Sequence, residues 1–266
     1  VWVVGGLFCF LLFACSLVFW LCLSSNTEAI SIRVKVFALL GIVSPELEEK
    51  RWNLSRVNEE NRSEELLIAF GGGAMALMRL PRAEFLHTFE HFDCDKLFLT
   101  DPDQSWYLND TKRNWEGLRE MNDKLSAISS KYKRVIAVGN CLGGSAALLF
   151  SRHFHYTIAF IPQVNLIAEK RFKFKLGAKR IPYRLRCNFH NMISESIQES
   201  KGPVKVHVAS NRIHDMEQVH FLPKDAQTLE IVVHEIGGPG TIAQEFKKRD
   251  LLVPLVGEAF EHVRRG

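Results

Sequence analysis

The sequence is short of several features that would direct a first reading elsewhere. It has no marked charge of one sign: 34 basic residues stand against 30 acidic ones, a net +4. A mild excess of that kind leaves no electrostatic footprint for nucleic acid, which is therefore not an expected partner. It has no CxxC pair and no His/Cys spacing of a zinc site, so no metal is expected, and no organic cofactor is signalled. Three of its six cysteines (Cys9, Cys15, Cys22) lie in the apolar N-terminal stretch, leaving Cys94, Cys141 and Cys187 for the folded part. An odd number cannot all pair internally. Internal repeats and low-complexity tracts are absent as well.

Residues 1–23 contain no charged side chain. As a helix they would extend about 35 Å, enough to cross a bilayer. Two readings stand: an uncleaved single-pass anchor, or a secretory signal with Ser24 and Ser25 in its cleavage region. Either implies membrane attachment or the secretory pathway. The chain begins at Val1 rather than at a methionine, so upstream residues carrying the orienting charges are expected, and the side of the membrane stays open. Asn53, Asn61 and Asn109 each head an N-x-Ser/Thr sequon, consistent with a glycoprotein if the domain faces the lumen or the exterior.

Residues 24–65 read as a juxtamembrane connector, dense in Glu, Arg and Asn from Ser44 onward. Beyond it the pattern becomes regular. The runs 66–70, 96–100, 134–138, 157–161, 204–209 and 229–234 are short, apolar and rich in β-branched or aromatic residues, as buried parallel strands are. Helix-like segments fall between them, at 82–91, 114–132 and 144–154, with a final one at 241–249. The alternation predicts an α/β domain over 66–266, with a mostly parallel sheet covered by helices on both faces. The stretch 165–201 breaks the rhythm and sits where a cap would be inserted. Its basic aromatic run Arg171–Lys175 is either a contact for anionic headgroups or a solvated helix face.

The most informative segment is Gly139-Asn140-Cys141-Leu142-Gly143, which joins a strand to an apolar helix. A residue on a sharp strand-to-helix turn draws its flanks so close that side chains two before and two after would collide, which demands glycine at both places. At the helix N-terminus, unpaired N–H groups and the positive end of the dipole favour a thiolate. The plainer alternative is a small buried residue in a glycine-rich turn. The segment resembles the nucleophile elbow of the α/β-hydrolase superfamily, with Cys141 in place of the usual serine. The resemblance covers about residues 66–256.

That resemblance implies further roles. Gly71-Gly72-Gly73 follows a strand upstream of the elbow and is similar to the superfamily's oxyanion loop, so Gly72 or Gly73 with the Leu142 N–H would hold a developing oxyanion. The acid is expected after the strand 204–209, with Asp215 first and Glu217 second. The histidine is expected on the loop after the last strand, yet residues 235–241 contain none. His234 is the nearest candidate for the base, and His214 and His220 stand beside the acid. Thr241 takes the place expected of the histidine and reads more naturally as a helix N-cap. The segments 99–107 and 159–163 resemble small bacterial-type hydrolase-like proteins, some found alongside surface-polysaccharide functions. There Asp101, Ser105 and Trp106 lie past a strand's carboxyl end, as ligand contacts or as turn residues.

Three functions are compatible with these features. The first is an acyl hydrolase or acyltransferase acting on a small-molecule, glycan or lipid ester or thioester through Cys141. The second is a catalytically degenerate domain that binds a glycan, lipid or protein partner. The third, a membrane-tethered interaction protein without pocket chemistry, leaves both glycine-rich turns without a purpose.

Overall fold

The computed structural model describes residues 52–55, 63–72, 85–101, 103–110, 112, 114–168, 180–235 and 242–266. Their strands form one seven-stranded sheet. In chain order the elements are β1 (Trp52–Ser55), β2 (Glu65–Phe70), α1 (Leu86–Phe89), β3 (Asp95–Leu99), α2 (Gly117–Ser129), β4 (Arg134–Asn140) and α3 (Leu142–Leu149). They continue with β5 (Tyr156–Phe160), α4 (Tyr183–Gln198), β6 (Val204–Ala209), α5 (Ile213–Val219), β7 (Leu229–His234), α6 (Ile242–Lys248) and α7 (Leu252–Arg265). The strand order is β1-β3-β2-β4-β5-β6-β7, with β1 antiparallel to β3 and the other pairs parallel.

The six expected strands are present with nearly the expected bounds. All six residues of β2 and all five of β3 and β5 are buried. This is why these segments read as mostly apolar runs, with their charged residues confined to the amino ends of β2 and β3, rather than as alternating ones. Strand β7 departs from that pattern. It is the last strand of the sheet, and its Ile231 and Val233 are 39% and 47% exposed.

Successive residues along each strand point to opposite faces, and each face builds its own core. Leu66, Ile68, Val135, Ala137, Val204 and Val206 pack with α2, α3 and α4 on one face. Leu67, Ala69, Ile136, Val138, Ile158 and Phe160 pack with α1, α6 and α7 on the other. Helix α3 is buried along its whole length, which its sequence LGGSAALL permits by offering no charge to any side.

Three expectations need correction. The sheet begins before residue 66: β1 lies within the stretch read as a connector, and β2 starts at Glu65. Residues 183–198, expected within a cap insertion at 165–201, form α4, the crossover helix between β5 and β6, buried through Phe189, Ile193 and Ile197. Residues 169–179 of that stretch lie outside the described residues. The chain also has a further helix, α7, after the one expected last. Pro254 and Gly257 make its sequence look broken, yet Pro254 falls in the first turn, where a missing N–H removes no intrahelical bond. Residues 1–23 lie outside the described residues, among which no helix is long and apolar enough to cross a membrane.

Helix α7 is tied to the amino end of the sheet by Glu65. Its carboxylate accepts two bonds from Arg264, at 2.7 and 2.6 Å, and one from Arg134 at 2.9 Å. The Arg264 bonds, helped by Arg134, hold the Glu65 carboxyl below the usual carboxylate range against the opposing effect of burial. Glu65→Gln keeps the shape but removes the charge, and it is expected to lower unfolding free energy by about 1–3 kcal/mol, read from urea denaturation.

Candidate active site at the carboxyl end of the sheet

Strand β4 ends at Asn140 and α3 begins at Leu142, so Cys141 alone makes the turn. Its backbone lies at φ 56°, ψ −116°, a conformation that side-chain-bearing residues seldom adopt. The surrounding contacts explain both glycines. A Cβ on Gly139 would stand 2.1 Å from the Gly143 carbonyl oxygen, and one on Gly143 would stand 2.1 Å from that of Phe70. Gly144 is nearly as confined: a Cβ there would stand 2.7 Å from the Phe160 carbonyl oxygen. The elbow thus rests directly on the carboxyl ends of β2 and β5. Its N–H donates to the Phe160 carbonyl at 2.9 Å, and the Cys141 carbonyl accepts from the Ser145 N–H at 3.0 Å.

Because Gly143 packs on Phe70, the elbow and the start of the glycine-rich turn after β2 are brought together. In that turn the Gly71 N–H donates to the Leu99 carbonyl at 2.8 Å, and Tyr107 Oη lies 3.2 Å from the Gly71 oxygen and 3.0 Å from that of Leu99. Gly72 follows and is buried, whereas Gly73 lies outside the described residues. Leu142 opens α3, where the first N–H groups have no intrahelical acceptor.

The segment after β3 serves this architecture as a turn. Asp101 Oδ1 accepts from Ser105 Oγ at 3.2 Å and Oδ2 from the Tyr107 N–H at 3.0 Å. Trp106 is fully buried, and its Nε1 donates to Gln163 Oε1 at 2.9 Å. Gln104, Trp106 and Tyr107 all have positive φ, so the Asp101 carboxylate holds a strained loop together.

Asp215 is buried in the first turn of α5, close behind β6, and Glu217 lies half-buried on the same helix. His214 is exposed and pairs with Glu217 at 3.3 Å, while His220 Nδ1 donates to the Met216 carbonyl at 2.8 Å. Residues 236–241, including Thr241, lie outside the described residues.

His234 ends β7, in register with Ala209 of β6. Two strands separate β7 from β4, which places their axes about 14 Å apart at the usual strand spacing. The imidazole of His234 is engaged: its Nε2 lies 3.0 Å from Nδ1 of His207. The rings are inclined by only 16° with centroids 5.2 Å apart, so they meet edge to edge in nearly one plane. Phe160 and Phe246 enclose His207 at 5.1 and 5.9 Å. No sequence pattern singled out His207, because a lone histidine in a strand carries no signal until its register with His234 is known. A cleft of about 390 Å³ opens beside His234, walled by Phe246, Arg249, Leu251 and Leu255.

Neither in any known family profile nor among curated proteins does the chain's sequence find a match. Its three-dimensional structure does resemble solved ones. The acetyl ester-xyloside bifunctional hydrolase from Caldicellulosiruptor lactoaceticus superposes with a TM-score of 0.57 at 13% identity, over 80% of this chain and 87% of that one. The capsule O-acetyltransferase of Neisseria meningitidis serogroup A gives 0.52 at 14% identity, over 75% and 90%. The chain has the α/β-hydrolase fold. Within that fold, Cys141 occupies the elbow, β6 leads to Asp215, and β7 leads to the loop where the superfamily resemblance implied a histidine.

Gly143→Ala forces a methyl group into the Phe70 carbonyl and is expected to destabilise the fold by at least about 2 kcal/mol, read as a lowered urea midpoint. Burial, aided by the neighbouring His234 and Lys205, pushes His207 down to about 3, and burial with Arg152 and Lys201 pushes His153 down to about 4. Below the ordinary histidine value of about 6.5 the unfolded chain takes up protons that the folded chain refuses, so stability is full above that pH and falls as pH decreases toward 3. Between pH 7.5 and pH 5, His207 alone is expected to remove about 2 kcal/mol, and His207→Phe should flatten that part of the urea-denaturation profile.

Proposed function

We propose that this protein is an acyl hydrolase or acyltransferase in which Cys141 is the nucleophile. The supporting observation is the backbone of Cys141, held at φ 56° and ψ −116° by two glycines that tolerate no side chain. Strain of this size at one residue is characteristic of functional turns, and a residue that only filled space would not need it. In the proposed step the Cys141 thiolate forms a bond to the acyl carbon of an ester or thioester. The N–H groups of Leu142 and of Gly72 or Gly73 receive the oxyanion, and the alcohol or thiol departs with a proton. Water or an acceptor hydroxyl then attacks the thioester and releases Cys141. Asp215, on the segment after β6, is the acid of this reading and His234 its candidate base. The capsule O-acetyltransferase, also solved with CoA bound, supports a small acyl donor as the substrate class. Attachment to a membrane through residues 1–23 belongs to the same proposal.

A second reading is favoured by the pairing of His234 with His207 and by the lack of histidine in residues 235–241. On that reading the domain keeps the scaffold and binds a glycan, lipid or protein partner without turnover.

Hydrolysis of p-nitrophenyl acetate and of acetyl-CoA, with the acyl-enzyme trapped and its mass mapped to the Cys141 peptide, separates the two. The enzyme reading expects turnover that falls at least about 100-fold in Cys141→Ala. No turnover and no acylation in the unaltered chain would leave the binding reading standing. Retention of activity in His234→Ala would remove His234 from the base role while leaving Cys141 in place.

A further inference from the structure

The turn at Cys141 is not the only strained one at this end of the sheet. Ile161, which follows β5, has φ 41°, a genuine outlier for a β-branched residue. The two turns lie side by side: the Cys141 N–H donates to the carbonyl of Phe160, the residue before Ile161, and the Ile161 N–H donates to the His207 carbonyl at 2.9 Å. One hydroxyl joins them. Ser145 is fully buried in the first turn of α3, and its Oγ accepts from the Gln163 N–H at 2.8 Å. Its single proton faces two carbonyls, that of Gln163 at 2.9 Å and that of Cys141 at 3.2 Å.

The loop on the far side of Ser145 is fixed from two directions. Gln218 Oε1 accepts from the Val164 and Asn165 N–H groups at 2.8 and 2.7 Å. Trp106, from the loop after β3, donates to Gln163 Oε1. The indole has only a donor, so it fixes which way the carboxamide faces. Among the described residues, the buried Gln163 Nε2 has no partner. A buried donor in that state costs about 1–3 kcal/mol, which an apolar side chain filling the same space would avoid. The carboxamide is therefore poorly explained by packing and well explained by what its oxygen holds.

We propose that Ser145 and Gln163 are positioning residues for Cys141, linking the strained elbow to the loop after β5 and, through Trp106, to the loop after β3. This rests on the reading of Cys141 as a nucleophile. Without the link the loop after β5 is free to shift against the elbow, and the thiol, which already touches the core on the Phe160 side, loses its fixed presentation at the strained turn.

The test is the rate at which iodoacetamide modifies Cys141 in the native full chain at pH 7.5, followed by the mass of the Cys141 peptide so that Cys187 does not contribute. Ser145→Ala is expected to slow the reaction about tenfold, and Gln163→Met several-fold. Gln163→Glu, which keeps an oxygen for Trp106, should return the rate to within about twofold of the unaltered chain. All variants should label equally in urea, and a role in folding alone would lower Tm without separating Gln163→Glu from Gln163→Met. Native rates unchanged or faster in Ser145→Ala and Gln163→Met would overturn the proposal, as would equal rates in the two Gln163 variants. If Ser145→Ala fails to fold, the Gln163 pair decides. Rapid alkylation that depends on Ser145 and Gln163 in a chain showing no acyl turnover would sink the enzymatic reading and leave the positioning roles intact.

Discussion

The contact between the elbow and the strand ends is the constraint on which the rest of this structure depends. Gly143 meets the Phe70 carbonyl and Gly139 meets Gly143 at distances that no β-carbon permits, so β4, α3 and the carboxyl end of β2 are held as one unit. The positive φ of Cys141 is a consequence: a chain that must reverse within one residue, beneath α3 and against β2, has no ordinary backbone conformation available. The cost of that strain is offset by the surroundings. All eight residues of α3 are buried, and burial of its leucines, at about 1.5–3 kcal/mol each, exceeds the roughly 1–3 kcal/mol of one strained residue.

The same physics decides what could be read from the sequence. Strands β2 to β5 were legible because the centre of a strand covered on both faces is apolar, β6 because valines alternate along it, and the elbow because close backbone approach requires glycine at two fixed offsets. The antiparallel β1, four residues long and set within a charged stretch, carries neither signature. Helix α7 was obscured by Pro254 and Gly257, whose effect depends on their place in the helix rather than on their identity. Gln163 and Ser145 were invisible for another reason: their importance arises from residues 57 and 18 positions away, and a hydrogen bond across that separation leaves no periodicity behind.

The polar groups at the carboxyl end are divided between the two faces of the sheet. On the α3 side, Asp101, Tyr107, Trp106, Gln163 and Ser145 form a nearly continuous set of hydrogen bonds that passes behind the elbow. On the α6 side, His207 and His234 are enclosed by Phe160 and Phe246. Burial lowers both imidazoles below the ordinary histidine value, so both are neutral at pH 7. The first set restrains backbone, and the second sets which nitrogen carries a proton.

The position of that proton bears on the chemistry. A hydrogen bond between two neutral imidazoles has one donor, and among the described residues the buried Nε2 of His207 has no partner. If His234 were the donor, this nitrogen would be an N–H orphaned in the core; if His207 donates from Nδ1, it is only an unfilled lone pair, the rarer fault being avoided. The second arrangement puts the lone pair of His234 on Nε2, where the bond from His207 occupies it, so His234 accepts a proton only after leaving that pair. A serine at the elbow would then lack the base that its hydroxyl requires. A thiol is less demanding, because a few per cent of free cysteine is thiolate at neutral pH and the thiolate is intrinsically nucleophilic. Cysteine at position 141 and the engagement of His234 are therefore compatible features of one site: under the proposed function, attack by a thiol would place less demand on His234 as a base than attack by a hydroxyl.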